Sequence, residues 1–135
     1  MSAELVVSVG GERYTLAVEN VLEVTRAQAV TPVPGAPSTI LGVQNLRGQL
    51  LPVLDLGALL GHAPRTDAPC SVVVERPPIR VGFAVDAALE LLDGGTRLPM
   101  PGSRLVPDAA LVDGAPLGRI DVDAILSDVT GSVAA

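Results

Sequence analysis

Two strands and the turn between them are predicted in Gly42-Val43-Gln44-Asn45-Leu46-Arg47-Gly48, which continues as Leu51-Pro52-Val53-Leu54-Asp55-Leu56. The two glycines that flank this turn allow the backbone to bend tightly and to approach a partner closely. Asn45 and Arg47 place polar side chains at the turn, within an otherwise apolar pair of strands. A hydrophobic core does not require these side chains, so we expect the turn to present them to a partner.

The chain contains an internal duplication. At a shift of 67 residues, positions 5–7, 16–19 and 22–24 align with positions 72–74, 83–86 and 89–91, and at a shift of 66 residues positions 54–60 align with 120–126. Each half reads as a strand, a turn, a second strand, a linking element and a hairpin that leads into one apolar turn of helix. Because repeats of this kind fold into similar units, we expect two similar subdomains.

The predicted fold class is mostly β, with short helical turns. Apolar residues alternate with period two in the N-terminal segments, and Gly10-Gly11 supplies a turn between them. Asp55 and Asp121 are suited to N-cap the two helical turns, and Gly61 is placed to end the first of them. Frequent prolines cut the chain into short pieces, which favours small barrels.

The length of 135 residues predicts one domain spanning residues 1–135. Within it, we expect subdomain one at about residues 12–66 and subdomain two at about residues 67–126, with the N- and C-terminal segments packing across them. A hydrophobic content of 48% and a mean hydropathy of +0.47 suggest that some apolar surface meets a partner.

Composition argues against membrane insertion and nucleic-acid binding. The longest uncharged stretch, residues 27–46, is interrupted by three prolines and does not suit a spanning helix. The N-terminus lacks a basic region and an apolar signal core, which predicts a cytoplasmic protein, and the single Cys70 agrees with that. A net charge of −6 and only two aromatic residues offer neither phosphate contacts nor stacking platforms for bases.

No residue pattern in the chain predicts catalysis, a cofactor or a metal. His62 is expected to be a solvated linker residue, and Cys70 a small residue of the core or its rim. Acidic residues near the second helical turn are expected to cap it or to be solvated, because the glycine and distal glutamate of a calcium loop are missing. The glycine pairs at 10–11 and 94–95 precede no helix and no lysine, so a phosphate loop is not predicted.

Nearly the whole chain resembles the CheW-like domain, the adapter of bacterial chemosensory arrays. In the first half the resemblance rests on four segments: residues 14–24 with Tyr14, Glu23 and Val24, residues 31–40 beginning Thr31-Pro32-Val33-Pro34, residues 42–48 with Asn45-Leu46-Arg47-Gly48, and residues 52–56 with Asp55-Leu56. In the second half residues 81–86 and 117–126 are similar to the family's later strands and closing helix.

The resemblance implies two SH3-like five-stranded β-barrel subdomains in tandem and a protein without catalysis or cofactor. It implies an adapter that joins the cytoplasmic tip of a chemoreceptor to the regulatory domain of a chemotaxis-type histidine kinase. By resemblance, the receptor-binding residues are Gly42, Val43, Asn45, Leu46 and Arg47, with Ala87 and Ala88 facing them. By resemblance, the kinase-binding residues are Val21, Glu23, Val24 and Arg26. Other CheW-like proteins are further implied partners, and recruitment to membrane-associated receptor arrays follows.

Two features depart from the family pattern. Gly57 follows Asp55-Leu56 where the family often has arginine, and residues 96–114 form a shorter region than usual. These departures motivate an alternative, an accessory scaffold that binds receptors or another adapter without coupling to the kinase. A third hypothesis, a small-molecule-binding or catalytic barrel, rests only on the groove that a duplicated architecture creates.

Overall fold

The computed structural model describes residues 3–26, 29–93, 97–99 and 103–134. The fold is mostly β, as predicted. The elements are β1 (Ala3–Val9), β2 (Glu12–Ala17), a 3-10 turn (Val18–Asn20), β3 (Val21–Arg26), β4 (Ile40–Leu46), β5 (Gln49–Asp55), α1 (Leu56–Leu59), β6 (Cys70–Arg76), β7 (Ile79–Val85), β8 (Ala87–Asp93), β9 (Arg97–Pro99), β10 (Asp108–Val112), β11 (Ala115–Arg119) and α2 (Val122–Ala134).

The described strands form two sheets, and each sheet mixes strands from both repeats. The six-stranded sheet has the order β8-β1-β2-β11-β10-β9, and the five-stranded sheet has the order β3-β6-β7-β5-β4. In the repeat alignment, β1, β2 and β3 correspond to β6, β7 and β8, and β4 and β5 correspond to β10 and β11. Each repeat therefore contributes its first hairpin to one sheet and its later strands to the other.

The composition of the sheets differs from the predicted subdomain boundaries at residues 12–66 and 67–126. The five-stranded sheet draws on residues 21–85, and the six-stranded sheet combines residues 3–17 with residues 87–119. In the second repeat, the connection after the first hairpin is a single residue. Only Asp86 lies between β7 and β8, and a hairpin loop usually needs two residues or more, so β8 enters the other sheet instead of folding back onto β7.

Both predicted helix N-caps are confirmed. The Oδ1 atoms of Asp55 and Asp121 each accept a hydrogen bond from the amide three residues later, at 3.1 Å in both cases. Gly61, with φ of +92°, follows the end of α1 in the left-handed region that glycine tolerates. The second helix is longer than the single turn predicted and extends over Val122–Ala134.

Of the two hydrophobic core clusters among the described residues, the larger lies between the two sheets and beneath the helices. It includes Leu16 from one sheet, Phe83 and Leu54 from the other, and Ile125 from α2, all fully buried. Cys70 is also buried in this core, as predicted, and burial raises the pKa of its thiol. Because these side chains come from both repeats, removing either repeat would expose the apolar face of the other.

A buried ion pair crosses the six-stranded sheet. Glu4 on β1 is 3% exposed, and its Oε1 accepts hydrogen bonds from Thr15 Oγ1 at 3.0 Å and from Arg119 Nε at 2.6 Å. Arg119 Nη1 also lies 3.7 Å from Asp108 Oδ1. This network connects β1, β2, β10 and β11, so residues that are more than 100 positions apart in sequence meet in one polar cluster.

His62 is not the solvated linker residue that the sequence suggested. Its Nε2 lies 2.7 Å from the hydroxyl of Tyr14, and its ring meets the Tyr14 ring edge-on. Burial, with a smaller effect from Glu12, raises the pKa of Tyr14 to about 12. The prediction failed because the linker packs back onto the β1–β2 hairpin, where the imidazole can hydrogen-bond to a tyrosine 48 positions earlier.

Candidate functional site: the Arg47 turn and the edge strands

The turn between β4 and β5 holds an arginine in an unusual backbone conformation. Arg47 has φ of +49° and Gly48 has φ of +85°. Non-glycine residues adopt this left-handed region rarely, at a cost of order 1 kcal/mol or more, and such residues are common at functional sites. Asn45 supports the turn, because its Oδ1 accepts a hydrogen bond from Gly48 N at 2.8 Å. Asn45 was predicted to present a hydrogen-bond donor to a partner. Its side-chain oxygen also holds the turn in shape.

The equivalent turn of the second repeat has the same backbone shape and the opposite charge. Asp113 has φ of +50° and Gly114 has φ of +79°, so the duplication preserves the turn conformation. Aspartate adopts the left-handed region more readily than arginine does. The shape of the turn therefore does not require arginine at position 47, which indicates a role for its side chain.

Arg47 is held by a two-point ion pair with Glu23 on β3. Nη1 donates to Oε2 at 2.6 Å and Nη2 donates to Oε1 at 3.0 Å. The hydrogen bonds and charge of Glu23 raise the pKa of Arg47. The Arg47 side chain remains 73% exposed, whereas that of Glu23 is 26% exposed. The guanidinium is thus fixed in direction and still accessible to a partner.

A buried hydrogen bond reinforces the same junction. The side chain of Gln44 on β4, 1% exposed as a residue, donates from Nε2 to Thr25 Oγ1 on β3 at 3.1 Å. β3 and β4 are the two edges of the five-stranded sheet, so Gln44–Thr25 and Arg47–Glu23 join these edges through side chains. Neither Gln44 nor Thr25 was predicted as a site residue. The only available signal was the alternation that places Gln44 on the same strand face as Gly42.

Gly42 is required by a close backbone approach. Thr31 and Val43 form an isolated bridge with two backbone hydrogen bonds of 2.8 Å, which brings the Thr31 carbonyl over Gly42. A Cβ atom added at Gly42 would lie 2.3 Å from that carbonyl oxygen. Position 42 therefore needs glycine because the 29–31 segment packs on β4 at this point, next to the turn that carries Arg47.

We expect Gly42→Ala to destabilise the protein by about 1–3 kcal/mol, because the new methyl group must displace the Thr31 backbone. Urea unfolding followed by circular dichroism measures the loss. Gly82→Ala is a matched control in the same sheet, since a Cβ there meets its nearest atom, Leu51 Cδ2, at an ordinary 3.4 Å. An equal loss in the two variants would contradict this account of Gly42.

The predicted receptor-binding residues occupy both sheets. Val43 and Leu46 are half-buried on β4, close to the Arg47 turn. Ala87 and Ala88 are half-buried on β8 in the six-stranded sheet, where they pair with Ser8 and Val7 of β1. Among the described residues, no hydrogen bond or ion pair joins the two alanines to residues 42–47. The structure thus assembles the Arg47 turn as one unit and leaves the alanines as a separate element.

The predicted kinase-binding residues lie along β3, which among the described strands is an edge strand paired with β6 alone. Val24 and Arg26 are exposed, Val21 packs partly against the core, and Glu23 pairs with Arg47. Leu22 was not predicted as a site residue, yet it is 49% exposed beside Val24. The period-two alternation that places Leu22, Val24 and Arg26 on one face was the signal that could have identified it.

The repeat produces a second apolar edge on β8. Leu89 and Leu91, which align with Leu22 and Val24, are 49% and 65% exposed, and β1 is the one described strand that pairs with β8. At the end of this strand, Asp93 takes the place of Arg26 in the alignment. The two edges therefore share exposed apolar residues and differ in charge, which is suited to binding two different partner surfaces.

The family of the chain follows from its match to a domain model. The sequence model of a protein family, described as CheW-like domain, matches residues 4–130 of this chain. The chain belongs to the CheW-like domain family. It is also similar to the crystal structure of the scaffolding protein TtCheW from Thermoanaerobacter tengcongensis, with a TM-score of 0.79, 28% identity and coverage of 90% of this chain and 89% of that one.

Named relatives agree with this assignment. A probable chemotaxis protein CheW from Rhizobium etli is 30% identical over 102 residues, which cover 74% of this chain and 66% of that protein. The chemotaxis protein CheW of Thermotoga maritima is 29% identical over 120 residues, which cover 84% of this chain and 80% of that protein. The chain thus spans slightly under two thirds of the Rhizobium relative and most of the Thermotoga relative.

Neither a metal-binding cluster nor a membrane-spanning helix is present in the described ranges. Over residues 3–26, 29–93, 97–99 and 103–134, histidine, cysteine, aspartate and glutamate side chains do not gather in groups of three that could hold a metal ion. Within the same ranges, neither α1 nor α2 has the length and apolar character needed to cross a membrane. The acidic residues near α2 have other roles: Asp121 caps the helix, Asp123 pairs with Arg76, and Asp128 pairs with Arg104.

Proposed function

We propose that this chain is a non-enzymatic adapter that joins the cytoplasmic tips of chemoreceptors to the regulatory domain of a chemotaxis-type histidine kinase. It acts in the cytoplasm and is recruited to membrane-associated receptor arrays. The main observation in support is the Arg47 turn, which presents a 73% exposed guanidinium whose direction is fixed by Glu23. Membership of the CheW-like family supplies the class of assembly.

The receptor tip binds at the Arg47 turn in this proposal. Gly42, Val43, Asn45 and Leu46 shape the surface around the guanidinium, and Ala87 and Ala88 contribute small side chains from the neighbouring sheet. An oriented arginine makes several directed hydrogen bonds and is a common energetic centre of protein interfaces. Gly48, directly after Arg47, has open space where a Cβ would lie, which allows a helical hairpin to approach the guanidinium closely.

The kinase binds along β3 in this proposal. Val24 and Leu22 provide exposed apolar surface and Arg26 adds a charge at the end of the strand, whereas Val21 and Glu23 support the strand from its inner face. An edge strand also offers unpaired backbone groups to a partner sheet. The similar edge at β8 is available for a further CheW-like protein, which would extend the assembly.

Reconstitution tests this function directly. Receptor cytoplasmic fragments are displayed on vesicles, the kinase is added with or without this protein, and kinase sedimentation and autophosphorylation are measured. We expect this protein to bring the kinase to the vesicles and to raise its activity severalfold. Recruitment of the protein without the kinase would support the accessory scaffold instead, and failure to bind receptors would contradict both.

A further inference from the structure

The two edge strands of the five-stranded sheet meet through side chains. β3 and β4 lie at opposite ends of the strand order, and in the described part of the chain no backbone hydrogen bond joins them. Gln44 Nε2 donates to Thr25 Oγ1 at 3.1 Å, and Arg47 pairs with Glu23. These four residues form the β3–β4 seam. Neighbouring strands of the same sheet are held by backbone hydrogen bonds, so the seam is the junction that separates most easily.

Two buried oxygen atoms beside the seam have no hydrogen-bond partner among the described protein atoms. One is Oε1 of Gln44, and the other is Oγ of Ser71, the residue that faces Thr25 on β6. Gln44 and Ser71 are each 1% exposed. A buried polar atom without a partner is costly, and it regains hydrogen bonds when water reaches it. Opening of the seam therefore breaks no backbone pair between β3 and β4 and hydrates both atoms, which brings the open and closed states closer in free energy.

The seam lies between the two surfaces that the proposed function uses. Arg47 belongs to the receptor surface, and Glu23, which orients it, belongs to β3, the kinase strand. In the closed seam, the guanidinium has a fixed direction and β3 has a fixed position relative to the β4–β5 turn. An open seam loses both at once, because the same side-chain contacts provide them.

We propose that Gln44 and Thr25 are positioning residues that hold the seam closed, and that closure of the seam couples receptor binding at the Arg47 turn to kinase binding on β3. Neither residue has to touch a partner, since both are buried. A partner that binds the closed state increases its population and so raises the affinity for the second partner, and by linkage the effect is reciprocal. The coupling rests on the proposed function, whereas opening of the seam is a property of this chain alone.

Hydrogen exchange in the free protein tests the seam without either partner. Nuclear magnetic resonance follows the side-chain amide of Gln44 and the backbone amides of β6 and β7 at increasing low concentrations of urea. We expect exchange at Gln44 to be insensitive to urea, because a local opening exposes little surface, whereas exchange in β6 and β7 accelerates with global unfolding. Equal acceleration at Gln44 would mean that the seam opens only when the whole protein unfolds, and would overturn the proposal.

Two substitutions at Thr25 test the coupling. Thr25→Val keeps the shape of the side chain and leaves Nε2 of Gln44 without its acceptor, so the closed state becomes less populated. We expect a receptor cytoplasmic fragment to bind this variant about fivefold more weakly, as a closed population of about one fifth predicts, and excess kinase regulatory domain to restore the affinity. Thr25→Ser keeps the hydroxyl group and should bind as the wild type does.

Val81→Ala is the control for lost stability. It shortens a buried side chain in the larger core cluster, on β7, the central strand of the sheet. It should lower the melting temperature and leave receptor affinity unchanged. Equal receptor affinities of Thr25→Val and Thr25→Ser, or a loss that the kinase domain does not restore, would overturn the coupling. A wild type that binds neither partner would contradict the proposed function and the coupling with it, while the exchange result for the seam would stand.

Discussion

Arg47→Glu is expected to weaken receptor-tip binding by at least about thirtyfold, the loss typical of an interface hot spot. The substitution reverses the charge at a side chain that is 73% exposed, and it places a carboxylate against the carboxylate of Glu23. Folding should change little, because exposed ion pairs contribute about 1 kcal/mol or less, which corresponds to a melting-temperature shift below about 4 °C. Calorimetric titration with a receptor hairpin measures the affinity.

A charge swap separates direct contact from structural support. The double variant Arg47→Glu with Glu23→Arg can rebuild an ion pair between β3 and the turn, but its charges are reversed. If Arg47 contacts the receptor, the double variant remains defective, whereas restored binding would show that only the ion pair matters. Arg104→Glu is the matched control, since Arg104 is similarly exposed at 63% and pairs with Asp128 away from the turn.

Arg119→Met is expected to destabilise the protein by about 3–5 kcal/mol, the cost of leaving a buried charge without its partner. Glu4, 3% exposed, would keep only the hydrogen bond from Thr15. Urea unfolding measures the loss. Arg76→Met is the matched control: its ion pair with Asp123 is exposed on both sides, so we expect a loss below about 1 kcal/mol.

The double variant Glu4→Gln with Arg119→Met gives the decisive comparison. Glutamine removes the unpaired charge and can still accept the hydrogen bond of Thr15, so the double variant should be more stable than Arg119→Met alone. Equal or lower stability would mean that packing of the Arg119 side chain, and not the charge of Glu4, sets the cost.

Much of the local structure followed from local patterns. Alternating apolar residues predicted the strands, and the aspartates before the two apolar turns predicted N-caps that the structure contains. The self-similarity of the sequence predicted two related units. The polar residues at positions 45 and 47 predicted a turn that presents side chains to a partner. These features depend on residues within a few positions of one another, where backbone propensity and hydrophobic periodicity act.

Predictions that required long-range pairing were less successful. Each sheet combines strands from both repeats, a pairing that the repeat alignment did not specify. His62 was assigned to solvent, although the linker folds back to Tyr14. In both cases the sequence near the residue was compatible with either outcome, and packing against a distant segment selected one of them.

By itself, the sequence determined the mostly β class, the duplication, the caps and the turn that carries Arg47. Only the tertiary structure decided that Arg47 meets Glu23 and that Gln44 meets Thr25. The physical reason is distance along the chain. Residues about 20 positions apart come together through sheet curvature and strand register, which depend on the packing of all the strands and not on the periodicity of any one of them.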